Sequence, residues 1–350
     1  MTRDELLAAL ESGESIRDQD CSGLDLTGTD LSGAIFENVI MRDARLGGAK
    51  LDEATLIHVD LGGSDLSGAS LHLAAMINPA CVGTKFVGAM MVNAKFIDAD
   101  FSAADLSGAN LTIAAFINPR LDGASLARCN LDRTSILNGK ASGLDLSGAS
   151  LLQTALMETD LTSAIVVGTL WHKAVLIKSV LSGMQLAGAD LSQAQCMDAD
   201  FSGADLRGCN LVQCNFKGAT LTGARLDKSR IDNALFMEAL AGGANFEGAS
   251  ARQAIFLDAD LAQANLSRCD LWQAQFTRAK CAGARFLGAD LTYGDFSHAD
   301  LSGADMSGTK LFRARLHRSK QDKTNWNQSN KDQALGDDVE LAAAEDWKAA

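Results

Sequence analysis

The residues best suited to chemistry in this sequence are eight cysteines and five histidines. A zinc site or a redox dithiol requires cysteines at close, fixed spacing, typically C-x-x-C. The two cysteines nearest in sequence, Cys209 and Cys214, are five residues apart, and the chain contains no C-x-x-C. The glycine-rich segment at 240–248, LAGGANFEG, does not have the pattern of a phosphate loop followed by a helix. We therefore predict no catalytic residue, no metal site and no cofactor, and a protein that is not an enzyme.

A five-residue repeat organises the chain. From Leu26 to Leu316 every fifth residue is apolar, and Cys21 and Trp326 extend the series, with the polar Gln321 at one slot. The residue two before each of these is usually small, and the residue between them is often Asp or Asn. The unit ADLSG at 104–108 shows the pattern. Because such a repeat fixes the architecture, it decides the fold.

The unit resembles A-(D/N)-L-X-X, the consensus of the pentapeptide-repeat family, over residues 21–326. The resemblance implies an all-β fold, a right-handed quadrilateral β-helix in which five residues form one side and twenty form one coil. It also implies that the large apolar residue and the small residue two before it face inward, while the other three face solvent. Residues 21–320 would then form about 15 coils, roughly 70 Å long at the strand spacing of about 4.8 Å.

The distribution of residue types agrees with this division into inward and outward positions. No charged residue between 21 and 326 is at an inward position, as a dry interior requires. Thirteen of the 14 phenylalanines are inward, with Phe312 the exception. The cysteines are all inward: Cys21, Cys81, Cys129, Cys196, Cys209, Cys214, Cys269 and Cys281. The histidines are all outward: His58, His72, His172, His298 and His317. His298 and His317 fall in successive coils, where a chance surface pair is a simpler interpretation than a metal site.

Short helices are predicted at both ends of the repeat. Residues 1–20 contain a helix with a capping box of Thr2 and Glu5, and Gly13 is its expected stop. Residues 327–335 are predicted to be a polar linker, and 336–350 an acidic helix. We expect that helix to dock through three apolar residues, Val339, Leu341 and Trp347.

Charge is unevenly distributed along a chain whose net charge is −13. Residues 1–20 carry −4, residues 309–331 carry +6 and residues 332–350 carry −5. Either the acidic tail folds back and neutralises the basic coil before it, or it masks a basic docking site. The inward cysteines and the lack of a signal peptide or membrane span indicate a cytoplasmic protein.

One side of the predicted solenoid carries outward apolar residues, which we call the apolar stripe. They directly follow the large inward residue: Ile57, Ile77, Ile97, Ile117, Leu137, Met157, Ile177, Met197, Met237 and Leu257. On the next side this position is mostly Ser or Thr. A preference for β-branched residues on a flat sheet should act on all four sides equally. We therefore predict a binding face, with a packing preference of that side or self-stacking as the alternatives.

Three further sets of residues accompany the stripe. An acidic border follows it directly: Asp98, Glu158, Asp198, Glu238 and Asp258. On the other flank is an amide row that can form a structural ladder: Gln153, Gln193, Gln213, Asn233, Gln253 and Gln273. Three outward aromatics occur in successive coils: Trp272, Tyr293 and Phe312. They mark either a contact site or the bed of the C-terminal helix, held through Trp347.

Three functions remain open. The first is a bacterial cytoplasmic scaffold that binds a protein partner through the stripe. The opening TRDELLAALESGESIRDQDCSGLDLTG is similar to pentapeptide proteins of type VI secretion, which implies an adaptor or chaperone for effectors. The second is a DNA mimic that binds gyrase or another topoisomerase, as the resemblance to acidic relatives implies. The third is a self-associating rod or homodimer, for which pairing through the ends is disfavoured because both ends are predicted to be capped. Neither direct nucleic-acid binding nor membrane binding is expected.

Overall fold

The computed structural model describes residues 1–347. By its internal contacts the chain divides into two compact units, Met1–Val180 and Leu181–Ala350, called unit 1 and unit 2. In the described part of the chain, neither helix has the length and apolar character needed to cross a bilayer.

Unit 1 begins with helix α1 (Arg3–Glu11) and continues into a parallel sheet of eight short strands in sequence order. These are β1 (Ile16–Arg17), β2 (Ile35–Glu37), β3 (Thr55–Ile57), β4 (Ala75–Ile77), β5 (Lys95–Ile97), β6 (Ala115–Ile117), β7 (Ser135–Leu137) and β8 (Ala155–Met157). Each residue of a strand pairs with the residue twenty positions later in the next strand, as Leu56 does with Met76. Three other positions in every twenty residues also pair with the residue twenty positions later, each through a single-residue bridge. Examples are Asp60↔Ala80, Asp65↔Lys85 and Ser70↔Met90. Four rows in every twenty residues make a four-sided parallel β-solenoid.

Unit 2 repeats the twenty-residue step without continuous strands. Its parallel bridges run from Gln185↔Asp205 to Arg315↔Leu335. A turn of 3-10 helix (Lys331–Gln333) and helix α2 (Val339–Asp346) follow. The predicted linker 327–335 therefore contains helical and bridged residues. The predicted helix at 336–350 is shorter in the structure, and its last three residues lie outside the described part.

The prediction of an all-β solenoid with a short helix at each end is confirmed. The coil count differs, because continuous strands mark only about seven turns, from β1 to β8, whereas the figure of 15 counted every repeat period. The capping box at α1 is also confirmed: the backbone N–H of Glu5 bonds to the Thr2 hydroxyl, and the backbone N–H of Thr2 to the Glu5 carboxylate.

The interior of each unit is filled by the inward residues that the repeat specifies. All eight cysteines are buried, and so are the thirteen phenylalanines predicted to be inward. In unit 2, Phe236, Phe256 and Phe276 stack face to face with centroids 4.9 Å apart. Residues twenty positions apart lie above one another in successive coils. The spacing of their rings is within the range at which aromatic side chains pack favourably.

Polar residues at the small inward site are paired by a recurring hydrogen bond. The side chain donates to the backbone carbonyl 23 residues earlier, as Thr134 does to Leu111 at 2.6 Å and Cys129 to Leu106 at 2.9 Å. Thr29 and Ser229 are different, since the buried hydroxyl of each has no hydrogen-bond partner in the described part of the chain. The residue 23 positions before Thr29 is Leu6, which lies in α1 rather than in a solenoid coil.

Candidate protein-interaction surface

In unit 1 the apolar stripe is an in-register column at the C-terminal ends of consecutive strands. Its members end β3 to β8: Ile57, Ile77, Ile97, Ile117, Leu137 and Met157. Ile117 is 38% exposed and the other five are half-buried. At a strand spacing of about 4.8 Å, each side chain packs against those one coil before and after it. The column is therefore a continuous apolar surface one side chain wide.

The backbone explains part of this column. Continuous strands in the described residues occur on this side only, while the other three sides have turns at the equivalent positions. The premise that β-propensity acts equally on all four sides is therefore wrong. Ile57, Ile77, Ile97 and Ile117 occupy extended backbone, where β-branched side chains are favoured. The residue after each has a positive φ, as in Asn118 at 50°, which Asn and Asp tolerate.

The later stripe residues lie in a different backbone conformation. Ile177 of unit 1 and Met197, Met237 and Leu257 of unit 2 are at turn positions, and all four are half-buried. β-propensity does not account for apolar residues there. Lys217 interrupts the row in unit 2, where its ammonium lies 3.5 Å from Glu238.

The acidic border is largely occupied by neighbours on the adjacent coil. Asp98 accepts a hydrogen bond from the Asn118 amide at 2.9 Å. The other pairs are ionic: Glu158 with Lys178 at 3.4 Å, Glu238 with Lys217 at 3.5 Å and Asp258 with Arg278 at 2.7 Å. The guanidinium of Arg278 also lowers the pKa of Asp258. Asp198, the fifth member, is exposed beside Gly218. Four of the five acids thus hold neighbouring coils together, which reduces the charge available to a partner.

The aspartates that precede the large inward residue have a local role. In Asp300 one carboxylate oxygen accepts the backbone N–H of Ser302 at 3.0 Å, closing the turn. Hydrogen bonds from the hydroxyl and backbone of Ser302 lower the pKa of Asp300. The same bond recurs at Asp60, Asp100, Asp160, Asp200 and Asp260. This turn closure gives a physical reason for Asp or Asn at this position of the repeat.

The flanking amides and aromatics form short ladders in unit 2. Within the amide row, Gln253 donates to the side-chain oxygen of Gln273 at 2.9 Å. Trp272 is half-buried beneath the guanidinium of Arg252, 4.8 Å from its ring. Tyr293 stands edge-on to both Trp272 and Phe312, with centroids 6.5 and 5.7 Å away. Tyr293 and Phe312 are 43% and 45% exposed, so the prediction of outward aromatics fits these two better than Trp272.

Helix α2 docks through charge rather than through its apolar residues. Val339, Leu341 and Trp347 are all exposed, Trp347 by 74%, so the expectation that they anchor the helix is wrong. Arg318 binds the carboxylates of Glu345 at 3.1 Å and Asp346 at 2.6 Å. Arg318 lowers the pKa of Asp346 by donating to it. The tail thus folds back on a basic residue, as the neutralising interpretation of the charge pattern expects.

Two histidines lie under the same helix. Glu345 contacts the Nε2 of His298 at 3.1 Å and the Nε2 of His317 at 3.3 Å. The side chain of His317 points out of the solenoid, as predicted. Helix α2 covers it, so that only 3% of the residue is exposed. The sequence repeat gave no signal for this burial, because Glu345 lies outside the repeat.

The donor atoms of His298, His317 and Glu345 lie within 4.8 Å of one another, close enough to hold a metal ion. The hydrogen bonds of His317 favour a proton, rather than a metal ion, on its Nε2. The backbone N–H of Asp338 donates to the Nδ1 of His317 at 3.1 Å, so the neutral ring carries its proton on Nε2. A metal at Nε2 would require that nitrogen to be unprotonated. His317 is therefore arranged to donate to Glu345.

The cysteines have no catalytic environment. Burial raises the pKa of Cys209 to about 11 and that of Cys129 and Cys214 to about 12. Each of these thiols donates to a backbone carbonyl at 2.9 Å. A thiol that stays protonated at neutral pH is a poor nucleophile and a poor metal ligand.

Comparison with known proteins agrees with the repeat. The family model "Pentapeptide repeats" matches repeatedly along the chain, over residues 20–56, 49–78, 80–112, 154–193, 194–233, 234–273 and 273–308. No curated protein matches the chain significantly.

Solved structures of the same repeat class align at low TM-scores. HetL, a pentapeptide-repeat protein involved in heterocyst differentiation regulation in the cyanobacterium Nostoc, is 19% identical, covering 97% of this chain and 98% of its own at a TM-score of 0.27. QnrB1, a plasmid-mediated fluoroquinolone resistance protein, is 21% identical over 66% of this chain and 96% of its own, also at 0.27. A thylakoid-lumen pentapeptide-repeat protein of Arabidopsis thaliana is 31% identical over 36% of this chain and 64% of its own, at 0.15. At these TM-scores the structural likeness carries no functional argument, but the repeat model matches well over half of the sequence. The chain belongs to the pentapeptide-repeat family.

Proposed function

We propose that this protein is a non-enzymatic scaffold that binds a protein partner through the apolar stripe. The observation that carries the proposal is the in-register column of six apolar side chains, from Ile57 to Met157, on the outer face of the sheet in unit 1. Among the described elements of unit 1, α1 contacts only β1 of this sheet, so α1 does not cover the column. A continuous apolar surface of this kind is characteristic of interaction sites.

The stripe residues at turn positions support a binding role over a purely conformational one. Extended backbone favours isoleucine in β3 to β6, but it does not favour Met197 or Met237, which lie in turns. Methionine is flexible and polarizable, and it adapts to different contact partners.

A helix is the partner element that the structure supports best. His317 occupies the same position after the large inward residue as the stripe residues do, and α2 lies directly over it. This side of unit 2 therefore already accepts a helix from its own chain, although α2 docks there through Glu345 and Asp346 rather than through its apolar residues. The partner helix would present apolar side chains to the column, and it would need few basic residues because the acidic border is already paired.

The eight buried free thiols are compatible with the reducing cytoplasm of a bacterium, where we place the protein. An adaptor role in type VI secretion rests on the likeness of residues 2–28 alone.

Binding to gyrase or another topoisomerase as a DNA mimic is the second candidate. It is supported by six aspartates that share one repeat position on one side of each unit, Asp60, Asp100, Asp160, Asp200, Asp260 and Asp300, although Arg120, Lys140 and Lys280 interrupt the row. One oxygen of each carboxylate closes a turn. The other oxygen of Asp60 pairs with Arg42 at 2.6 Å, and those of Asp100 and Asp300 lie 3.8 Å from Arg120 and Lys320. The carboxylates with no ion pair among the described residues, and so available to a partner, are those of Asp160, Asp200 and Asp260. Such binding would weaken steeply with added salt, whereas binding through the stripe would not.

The test is affinity capture from the native host with two matched double variants, identified by mass spectrometry. The stripe variant carries Ile117→Asp and Met157→Asp. The control carries Val87→Asp and Leu152→Asp, which replace exposed apolar residues on two other sides of unit 1. We expect a partner that wild type and control retain and the stripe variant loses, with circular dichroism unchanged. Retention by the stripe variant would reject the proposal.

A further inference from the structure

A groove lies between α1 and the first coil of unit 1. Leu7, Leu10 and Ile35 form its apolar lining, and its volume is about 440 Å³. Ile35 is 45% exposed even though it starts strand β2. A space of this size accommodates one or two large side chains of a ligand or partner.

The rim of this groove is acidic. Glu11, Glu14 and Asp30 line it. Asp30 is 3.8 Å from Lys50, while Glu11 and Glu14 have no ion pair among the described residues. The first twenty residues carry a net charge of −4. The groove therefore suits an apolar side chain flanked by cations.

Unit 2 presents such a group near its C-terminal end. The ring of Phe312 is 45% exposed at the end of the aromatic ladder. Arg313 forms no side-chain ion pair in the described part of the chain, and Arg315 reaches Asp295 only at 4.0 Å. Arg318 is paired with Glu345 and Asp346 of helix α2, whereas Arg313 and Arg315 are exposed. Residues 309–331 carry a net charge of +6.

We propose that the protein self-associates head to tail, with Phe312, Arg313 and Arg315 of one copy occupying the acidic N-terminal groove of a second copy. Phe312 fills the apolar part of the groove, and the two arginines pair with Glu11 and Glu14. The occupant is a second copy because one chain carries both the groove and the complementary basic group. The two surfaces are different, so the contact is heterologous, and each added copy leaves one groove and one basic group open.

This inference is independent of the apolar stripe. It also revises the expectation that helical caps prevent association through the ends, since α1 builds one wall of the groove rather than closing it.

A charge exchange tests the proposal. One variant carries Glu11→Lys and Glu14→Lys, and the other carries Arg313→Glu and Arg315→Glu. The mass of the particles in solution is measured by sedimentation velocity at protein concentrations up to about 100 µM. Low salt is used because surface charges are then least screened. We expect the mass of wild type to rise with concentration and each variant alone to remain monomeric, with an affinity lower by about tenfold or more.

The decisive sample is an equal mixture of the two variants. In this mixture, the basic groove of the Glu11→Lys, Glu14→Lys variant can bind the acidic group of the Arg313→Glu, Arg315→Glu variant. The unchanged groove of the second variant can bind the unchanged basic group of the first. Association should therefore return. Phe312→Ala should weaken wild-type association without changing the circular dichroism. A monomeric wild type, unchanged association in either variant, or a mixture that stays monomeric would each overturn the proposal.

Discussion

The hydrogen bond from the small inward site predicts opposite effects for the same substitution at two threonines. Thr134 and Thr29 are both buried in unit 1, and Thr→Val preserves shape while it removes the hydroxyl. Thr134 donates to the Leu111 carbonyl at 2.6 Å, whereas the hydroxyl of Thr29 has no partner. We expect Thr134→Val to destabilise the protein and Thr29→Val to leave it unchanged or stabilise it.

The magnitudes follow from the remaining partners. The Leu111 carbonyl also accepts the backbone N–H of Ala114 at 2.8 Å, so Thr134→Val does not leave it unpaired. The loss is then that of one net hydrogen bond, about 0.5–1.5 kcal/mol. Thr29→Val removes a buried unpaired hydroxyl, which costs about 1–3 kcal/mol while present. The two variants should therefore differ by about 2 kcal/mol in their free energy of unfolding.

The assay is urea unfolding followed by far-UV circular dichroism, with the slope of the transition required to match wild type. Comparing two variants with each other cancels errors of extrapolation that both share. Equal destabilisation by both substitutions would refute the proposed role of the hydrogen bond, because both remove the same atoms.

Three further predictions concern the core, the tail and the thiols. Phe256→Ala should cost about 3–5 kcal/mol by urea unfolding, because its ring is stacked on both faces, while Phe312→Ala should cost under about 1 kcal/mol; similar losses would contradict the stacked core. The pKa of Asp346 is lowered below its ordinary 3.8, so docking of α2 should be complete above that pH and lost as the pH falls through the lowered pKa. A spin label at Ala343, introduced as cysteine, should become mobile only below about pH 4 while circular dichroism is unchanged, and mobility at neutral pH would contradict docking. Native protein should react with a thiol reagent only after unfolding, since all eight cysteines are buried and burial raises the pKa of Cys209 to about 11; rapid modification in the native state would contradict burial.

The fold could be predicted because the repeat is decided locally. Whether a residue faces inward depends on its place within five residues, and the burial of the phenylalanines and cysteines follows that rule. The capping box at Thr2 and Glu5 is likewise a local signal.

The surface was less predictable because it depends on contacts between distant segments. The outward position of His317 could be read from the repeat, but its burial depends on Glu345, 28 residues later. The acidic border looked available in sequence, yet Asp258 is engaged by Arg278 in the next coil. The restriction of strands to one side was also missed, since the consensus repeat is the same for all four sides.

The most direct test of the central claim is site-specific photo-cross-linking in the native host. A photoreactive amino acid replaces Ile117 in the stripe or Val87, an exposed apolar residue on another side. We predict that position 117 yields a cross-link to one defined partner peptide and that position 87 does not. Cross-links to the same partner from position 87 alone, or equally from both positions, would contradict binding through the apolar stripe.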